Sequence, residues 1–258
     1  NRLYRNEGKG MFVDVTASAA VGDTSWSLGC VAGDYDNDGH MDLYVTNFGA
    51  NRLYRNLGNG SFQDRTAVAG VGDTGYGTGG AFGDFDRDGD IDLYVSNYIE
   101  FSLDYKSTIP CVWKNVDIMC GPRGMLPQKD VFYRNEGDGR FTDATEEVGM
   151  ASKEFYGYGA VFADFNQDGW PDVFVADDMT PNQMYINQAD GTFAEEALIS
   201  SVGFNGEGAE QGCMGVGVGD FDNDGHLDIF ITNFEGEHNT LYRNEGDGFF
   251  LDVSFVSR

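Results

Sequence analysis

Short apolar runs separated by turn residues recur along the whole chain, and they predict strands rather than helices. Segments such as 31–33 and 43–46 contain β-branched or aromatic residues and lie beside Gly or Asp, as in strands bounded by tight turns. No stretch has a sustained helical hydrophobic period with helix caps. The pattern therefore indicates an all-β protein assembled from hairpins.

Two sequence elements alternate along the chain. The first is rich in aspartate, runs into a strand resembling Leu-Tyr-Val, and begins at Asp34, Asp84, Asp164 and Asp220. The second reads Leu-Tyr-Arg-Asn or a close variant, precedes a Gly- or Ala-containing turn and a Phe, and occupies residues 3–6, 53–56, 132–135, 184–187 and 241–244. Each element makes one hairpin, so the chain holds the equivalent of four and a half four-stranded units.

Four short strands in each repeat of 50 or more residues are typical of β-propeller blades. We predict a single β-propeller region over residues 1–258, with a partial blade at 1–20 and blades at about 21–66, 67–145, 146–197 and 198–258. Because propellers usually have whole blades, this region is expected to be a fragment of a larger ring of about seven blades. A solenoid or a large sandwich is the structural alternative.

One insertion interrupts the repeat. The first aspartates are spaced 50, 80 and 56 residues apart, so the extra residues, roughly 100–129, are placed between the second and third strands of one blade. Loops of this length are usually functional or disordered. By propeller topology, the aspartate-rich loops would lie on one face, and the insertion would lie on the opposite face.

The net charge of the chain disfavours two classes of binding partner, nucleic acids and anionic membranes. It carries 16 Lys and Arg against 43 Asp and Glu, for a formal charge of −27. Such a charge repels nucleic acid and anionic lipid surfaces, and no apolar run reaches the length of a membrane span. Bound cations are the simplest way to offset the self-repulsion of a folded chain of this kind.

The aspartates have the spacing of calcium ligands. Carboxylates, or Asn166 in one case, stand at positions 1, 3, 5 and 9 of each loop, and glycine at position 6 allows a sharp turn. Calcium prefers six to eight oxygens, which such a loop supplies from alternate positions, including a backbone carbonyl at position 7. We predict about four calcium ions, bound by Asp34, Asp36, Asp38, His40 and Asp42; by Asp84, Asp86, Asp88, Asp90 and Asp92; by Asp164, Asn166, Asp168, Trp170 and Asp172; and by Asp220, Asp222, Asp224, His226 and Asp228.

Other interpretations of these loops are weaker. An EF-hand needs a bidentate Glu at position 12, where this chain has Val45, Val95, Val175 and Ile231. Magnesium prefers a tighter octahedral shell with more water. Acidic turns without metal would hold several repelling carboxylates within nine residues. Asn166 removes one charge from its loop, so that loop is expected to bind calcium more weakly.

The Asp-x-Asp-x-Asp-Gly-x-x-Asp loops, with their flanking Gly-Asp and Leu-Tyr-Val residues, resemble the FG-GAP/VCBS repeat, the blade unit of integrin-α-like propellers. The Leu-Tyr-Arg-Asn-x-Gly-x-Gly-x-Phe element and the segment 111–124 are similar to those of the subgroup that contains cartilage acidic protein and the ASPIC/UnbV proteins. The resemblance covers nearly the whole chain. It implies a calcium-stabilised propeller that is secreted or at the cell surface, serves adhesion or matrix contact, and has no catalytic residues.

Four cysteines bear on the redox compartment. A disulfide between Cys111 and Cys120 would close the insertion and fits an oxidising compartment, and a pair of free thiols is the alternative. Zinc is disfavoured because no His lies nearby. Cys30 and Cys213 lie on or just before predicted inner strands and are interpreted as small buried apolar residues.

Aromatic residues recur on the face expected to carry the insertion. Trp26, Tyr76 and Tyr156 each stand eight residues before a loop's first aspartate. They form either a surface that binds protein or glycan, or a packing layer between neighbouring blades. The chain has no nucleophile-elbow, metalloprotease or P-loop motif.

The sequence therefore predicts a non-catalytic calcium-binding propeller outside the cytoplasm, either secreted or at the cell surface. Its calcium would be structural, and its loops would contact a protein or the extracellular matrix. The alternative is a glycan-binding, lectin-like module or a polysaccharide lyase acting through the opposite face.

Overall fold

A computed structural model describes residues 1–104, 111–118, 121–151 and 155–255 of the chain. Apart from two one-turn helices, α1 (Thr16–Ala19) and α2 (Thr66–Ala69), the regular structure of these residues is β-strand. None of the helices in the described residues has the length and apolar composition needed to cross a membrane.

Four antiparallel sheets of four strands each follow one another along the chain. They consist of β3 (Trp26–Gly33), β4 (Asp42–Phe48), β5 (Arg52–Asn56) and β6 (Phe62–Asp64); β7 (Gly77–Gly83), β8 (Asp92–Asn97), β11 (Val131–Asn135) and β12 (Phe141–Asp143); β13 (Gly157–Ala163), β14 (Asp172–Asp177), β15 (Gln183–Asn187) and β16 (Phe193–Glu195); and β17 (Cys213–Gly219), β18 (Asp228–Asn233), β19 (Thr240–Asn244) and β20 (Phe250–Asp252). Two hairpins stand apart: β1 (Tyr4–Gly8) with β2 (Met11–Asp14), and β9 (Cys111–Trp113) with β10 (Val116–Ile118).

The first strands of consecutive sheets, β3, β7, β13 and β17, contact one another in chain order. The large hydrophobic clusters lie between sheets: one between the first and second, one between the second and third, and one between the third and fourth. The predicted all-β fold of four-stranded blades is confirmed. The size of the full ring and the blade limits remain predictions.

The second strands of the middle sheets are covered on both faces. Every residue of β8 and of β14 is buried, including the polar residues at the ends of both strands. In the fourth sheet Phe230 is 43% exposed, whereas its counterparts Tyr94 and Phe174 are almost completely buried. One face of the last sheet is therefore open among the described residues.

The insertion leaves the second sheet between β8 and β11. Its base is closed by backbone hydrogen bonds, from Glu100 to Leu126 at 2.8 Å and from Gln128 to Tyr98 at 3.2 Å. Further out, Lys114 pairs with Glu235 at 3.0 Å, so the insertion reaches the fourth sheet's loops. The predicted disulfide involves Cys120, which lies outside the described residues, so it stays a prediction.

The interpretation of Cys30 as a buried residue is wrong. Cys213 is fully buried between the third and fourth sheets, but Cys30 is exposed on β3. The difference arises because side chains alternate across a strand, and Cys30 lies on the face of β3 that points away from the second sheet, where no other four-stranded sheet covers it among the described residues.

Two buried carboxylates meet away from the aspartate-rich loops. Asp177 ends β14, is fully buried, and accepts a 3.1 Å hydrogen bond from Nε2 of Gln183. Asp130 precedes β11 and accepts hydrogen bonds from the Asn97 amide and the Tyr94 hydroxyl, both at 2.6 Å. Asparagines hold the Asp177 position in the other three sheets: Asn47, Asn97 and Asn233.

The buried positions of Asp130 and Asp177 raise the pKa of both carboxyl groups. Burial raises the pKa of Asp130 to about 7. Burial, followed by the negative charge of Asp130, raises the pKa of Asp177 well above its ordinary value. The remaining titratable groups that act on the pair are acids, phenols and one thiol: Asp73, Asp178, Glu195, Tyr94, Tyr185 and Cys213.

We expect Asp177→Asn to stabilise the protein at pH 8. A carboxyl whose pKa is higher in the folded state than in the unfolded state destabilises the fold once pH exceeds the unfolded value. The variant should therefore raise the melting temperature at pH 8, and the gain should shrink as the pH is lowered toward 5. Melting curves of both proteins in excess calcium test this.

The exposed Asp138 provides the matched control, since Asp138→Asn makes the same chemical change without altering a buried charge. A gain for Asp177→Asn that does not depend on pH, or a loss of stability at pH 8, would contradict the prediction.

Candidate metal centres

Each aspartate-rich loop joins the first and second strands of one sheet. We number the loops in chain order: loop one (34–42), loop two (84–92), loop three (164–172) and loop four (220–228). Position 6 is a glycine with positive φ in every loop, from 87° to 95°. The sharp turn predicted from the sequence therefore requires glycine here, because a side chain at such φ is strained.

The first aspartate of each loop holds the turn together. In loop one, Oδ1 of Asp34 accepts a hydrogen bond from the Asp38 amide at 3.0 Å, and Oδ2 accepts one from the Gly39 amide at 2.9 Å. Asp164 and Asp220 accept the same pair of bonds in loops three and four. The loop is thus preorganised around a carboxylate.

The ninth position is a carboxylate buried at the start of the second strand. Asp42, Asp92, Asp172 and Asp228 are at most 2% exposed. In loop two, Oδ2 of Asp92 accepts from the Phe85 amide at 3.0 Å and Oδ1 accepts from the Asn135 amide at 2.9 Å. The other three loops repeat both bonds.

The fold brings the carboxylates of positions 1, 3 and 9 together. In loops one, two and four, one oxygen from each of the three lies within 4.8 Å of the others: Asp34, Asp36 and Asp42; Asp84, Asp86 and Asp92; and Asp220, Asp222 and Asp228. The position-5 aspartates Asp38, Asp88 and Asp224 lie outside these groups of three. Loop three keeps the same backbone pattern, with the Asn166 amide donating to Asp168 at 3.0 Å.

Among the described residues, two carboxylate oxygens in the loops are buried without a hydrogen-bond donor, which indicates that a cation would stabilise the carboxylate clusters. Oδ1 of Asp36 and Oδ1 of Asp84 are buried and lack any hydrogen-bond donor within the described residues. A buried carboxylate oxygen without a donor or a cation is costly. A divalent cation bound by oxygens would satisfy these atoms, so the residues present fit such an ion.

Loop one differs because the arginine beside it forms ion pairs with the loop's own carboxylates, whereas Arg134 and Arg243 at the equivalent positions beside loops two and four pair with glutamates. The guanidinium of Arg55 pairs with Asp36 and, at 2.9 Å, with Asp38. The equivalent residue beside loop three is Ile186, which supplies no charge. Arg55 therefore competes with a cation for two of the predicted ligands of loop one.

Burial makes the carboxylates of Asp42, Asp92 and Asp172 hold protons more tightly than usual. It raises the pKa of Asp42 to about 6, of Asp172 to about 7 and of Asp92 to about 8, against the opposing effect of the backbone amides that donate to them. Because a cation binds the deprotonated form, protons compete with metal at these positions.

The asparagine of the Leu-Tyr-Arg-Asn element belongs to the candidate metal centre, a role that the sequence pattern did not reveal. The amide N–H of Asn56, Asn135, Asn187 or Asn244 donates to the ninth-position aspartate, and the side-chain amide donates to the carbonyl of position 8. The strict alternation of the two elements along the chain was the available signal, since alternating elements can form one unit.

The opposite ends of the strands carry a continuous aromatic row. Trp26 stacks on Phe48 with centroids 5.9 Å apart, Phe48 contacts Tyr76 at 5.3 Å, and Tyr76 contacts Tyr98 at 5.7 Å. Tyr98 in turn contacts Tyr156 at 6.2 Å. The row packs the loops of neighbouring sheets together, and Trp26 at its end is 63% exposed.

Comparison with known proteins supports this repeat. The family of FG-GAP-like repeats matches residues 1–45, 34–95, 114–175, 164–231 and 220–256. Cartilage acidic protein 1 of Homo sapiens is 30% identical over 114 residues, which cover 43% of this chain and 17% of that protein. The Xenopus tropicalis protein of the same name is 28% identical over 101 residues, covering 39% of this chain and 15% of its own length. The chain thus spans less than a fifth of these relatives.

Two solved structures resemble the fold. One is an Agrocybe aegerita lectin that recognises non-reducing terminal N-acetylglucosamine, with a TM-score of 0.48, 15% identity, and coverage of 96% of this chain and 58% of that chain. The other is the Vibrio cholerae biofilm matrix protein Bap1, with a TM-score of 0.41, 13% identity, and coverage of 88% and 30%. Since the family matches cover most of the residues, the chain belongs to the family of FG-GAP-like repeat proteins.

Proposed function

We propose that this chain is a non-catalytic, extracellular calcium-binding propeller segment that contacts a protein or the matrix, with calcium in a structural role. The observation that carries the calcium proposal is the convergence of three carboxylates in one loop, as in loop two with Asp84, Asp86 and Asp92. Asp92 is almost fully buried, and Oδ1 of Asp84 is buried without a hydrogen-bond partner in the described residues. Among the described residues, no Lys or Arg forms an ion pair with these three.

Calcium suits these loops better than other ions. The ligand atoms are all hard oxygens, and the backbone carbonyls of His40, Asp90, Trp170 and His226 are proposed to add one more to each site. The surrounding chain would contribute by holding the first and ninth carboxylates in place through amide hydrogen bonds, before the ion binds.

The proposed extracellular location rests on two supports. The first is the likeness to cartilage acidic protein 1 over 114 residues. The second is the proposed calcium, since calcium-binding modules outside cells have affinities matched to the millimolar calcium found there. Adhesion or matrix contact is proposed on the same likeness.

We expect calcium removal to destabilise the fold. An ion that binds only the native state adds stability according to its concentration and affinity, and metal binding to unformed loops is coupled to folding. Full chelation with EDTA should therefore lower the melting temperature by about 10 °C or more, since several ions each contribute a few kcal/mol. An unchanged melting temperature after chelation would refute a structural role for calcium.

The calcium effect should also depend on pH. Protonation of the ninth-position carboxylates, whose pKa values are about 6 for Asp42, 7 for Asp172 and 8 for Asp92, competes with the ion. Calcium affinity measured by calorimetry should fall as the pH is lowered from 8 to 6. Affinity that stays constant over this range would contradict the proposed ligand role of these residues.

A second candidate function uses the opposite face. A cavity of about 530 Å³ lies beside the aromatic row and is lined by Phe48, Tyr76, Phe101, Glu100 and Gln128, among others. Aromatic walls with a few polar groups are typical of small-ligand and glycan sites.

A glycan array and a lyase assay on acidic polysaccharides separate these candidates. Binding without turnover supports a lectin-like module, and new unsaturated ends support a lyase. Tyr76→Ala should abolish binding in either case, because Tyr76 lies in the cavity wall. The matched control is Tyr4→Ala, since Tyr4 is exposed on the separate β1–β2 hairpin.

A further inference from the structure

Neighbouring metal loops are joined by hydrogen bonds that repeat along the chain. The side-chain amide of Asn135, in the second sheet, donates to the backbone carbonyl of Tyr35 in loop one at 2.8 Å. Asn187 donates in the same way to Phe85 of loop two, and Asn244 to Phe165 of loop three, each at 2.8 Å. Each bond crosses from one sheet to the loop of the sheet before it.

The residue that accepts this bond occupies position 2, between two predicted ligands of its loop. Its own amide donates to the ninth-position aspartate of the same loop, as Tyr35 does to Asp42. The asparagine that reaches it donates its backbone amide to the ninth-position aspartate of the next loop, as Asn135 does to Asp92. A short chain of hydrogen bonds therefore connects the buried carboxylates of adjacent loops.

A second set of contacts joins the loops near their tips. Position 4 has positive φ in every loop, and in loops one to three its side chain contacts the following loop. Nδ2 of Asn37 donates to the Asp90 carboxylate at 2.7 Å, the Arg87 guanidinium lies 5.3 Å from the centre of the Trp170 ring, and Nε2 of Gln167 donates to the Gly225 carbonyl at 2.6 Å. These contacts reach positions 6 and 7 of the next loop, where a carbonyl ligand is proposed.

The aromatic ring at position 2 of loops one to three also packs against the following sheet. Tyr35 packs on Phe141 at 5.8 Å, Phe85 on Phe193 at 5.7 Å, and Phe165 on Phe250 at 5.8 Å between ring centres. Each partner is the Phe that follows the Leu-Tyr-Arg-Asn element of the next sheet. A loop cannot shift its second residue without disturbing the next sheet.

We propose that the four loops bind calcium as a coupled array, in which occupation of one loop raises the affinity of the loops beside it. This inference rests on the proposed calcium function. The coupling passes through the inter-sheet asparagine bonds and the position-4 contacts, because both hold ligand-bearing backbone of one loop against the next. Coupling between sites is a reciprocal free energy, and adjacent loops here share named contacts that carry it.

Loop three offers a direct probe, because Trp170 stands at its position 7. Terbium ions replace calcium in oxygen sites and emit when excited through a nearby tryptophan. Tryptophan-sensitised terbium emission, and its displacement by calcium, should therefore report occupation of loop three in the full chain. Asp168→Ala should abolish the signal, which shows that it comes from this loop.

Coupling is tested by disabling loop four with Asp224→Ala and measuring loop three. We expect the apparent affinity of loop three to fall about fivefold or more, the lower end of typical coupling between sites. Disabling the more distant loop one with Asp38→Ala should have a smaller effect. An affinity of loop three that is the same in wild type and Asp224→Ala overturns the inference. Absence of saturable emission in the wild type instead refutes the calcium proposal itself.

The contacts that carry the coupling are tested by removing them in variants of the protein. Gln167 is exposed, so Gln167→Ala should fold, and in it the effect of Asp224→Ala on loop three should shrink by half or more. Asn223→Ala is the matched control, since Asn223 has the same position and a φ of 61° but no following loop beside it among the described residues. Asn244→Ala removes the second contact. The assigned route is overturned if the coupling is unchanged in both Gln167→Ala and Asn244→Ala. If Asn244→Ala does not fold, unchanged coupling in Gln167→Ala alone overturns the route.

Discussion

A buried carboxylate at the start of each second strand is the constraint on which the rest of each blade depends. An ionised aspartate with almost no exposure must be surrounded by donors or cations. Asp92, for example, meets this need with the amide of its own loop and the amide of Asn135 from the third strand. The loop, the second strand and the third strand are thereby fixed to one side chain, so the blade's inner hairpin and its outer hairpin form one unit.

The same requirement extends from blade to blade. The asparagine that donates to this carboxylate also uses its side-chain amide to bind the previous loop, so the polar junctions follow the hydrophobic layers between sheets. Apolar packing between sheets is not directional, whereas these hydrogen bonds are, so they add an orientational constraint to the contact between neighbouring blades. The aspartate-rich loops and the packing between blades are therefore not separate features of this fold.

The carboxylates of the aspartate-rich loops and the buried pair Asp130 and Asp177 have different chemical surroundings. On the loop face, carboxylates converge with unpartnered oxygens, an arrangement that suits a cation. Away from the loops, Asp130 and Asp177 are buried among phenols and amides that donate hydrogen bonds to them, and burial raises the pKa of each. The net charge of −27 is thus distributed over chemically distinct sites and an acidic surface.

The sequence by itself determined the strands, the loop positions and the insertion between second and third strands, because these depend on local properties: alternation, turn glycines and carboxylate spacing. It could not show that Cys30 is exposed or that Asp177 meets Asp130, since both follow from which sheet lies beside which. It also left the asparagine of the Leu-Tyr-Arg-Asn element without a role. Only the tertiary structure placed Asn135 between Asp92 of its own sheet and Tyr35, which is 100 residues away along the chain. Contacts at that separation are decided by the packing of whole sheets, which local sequence patterns do not specify.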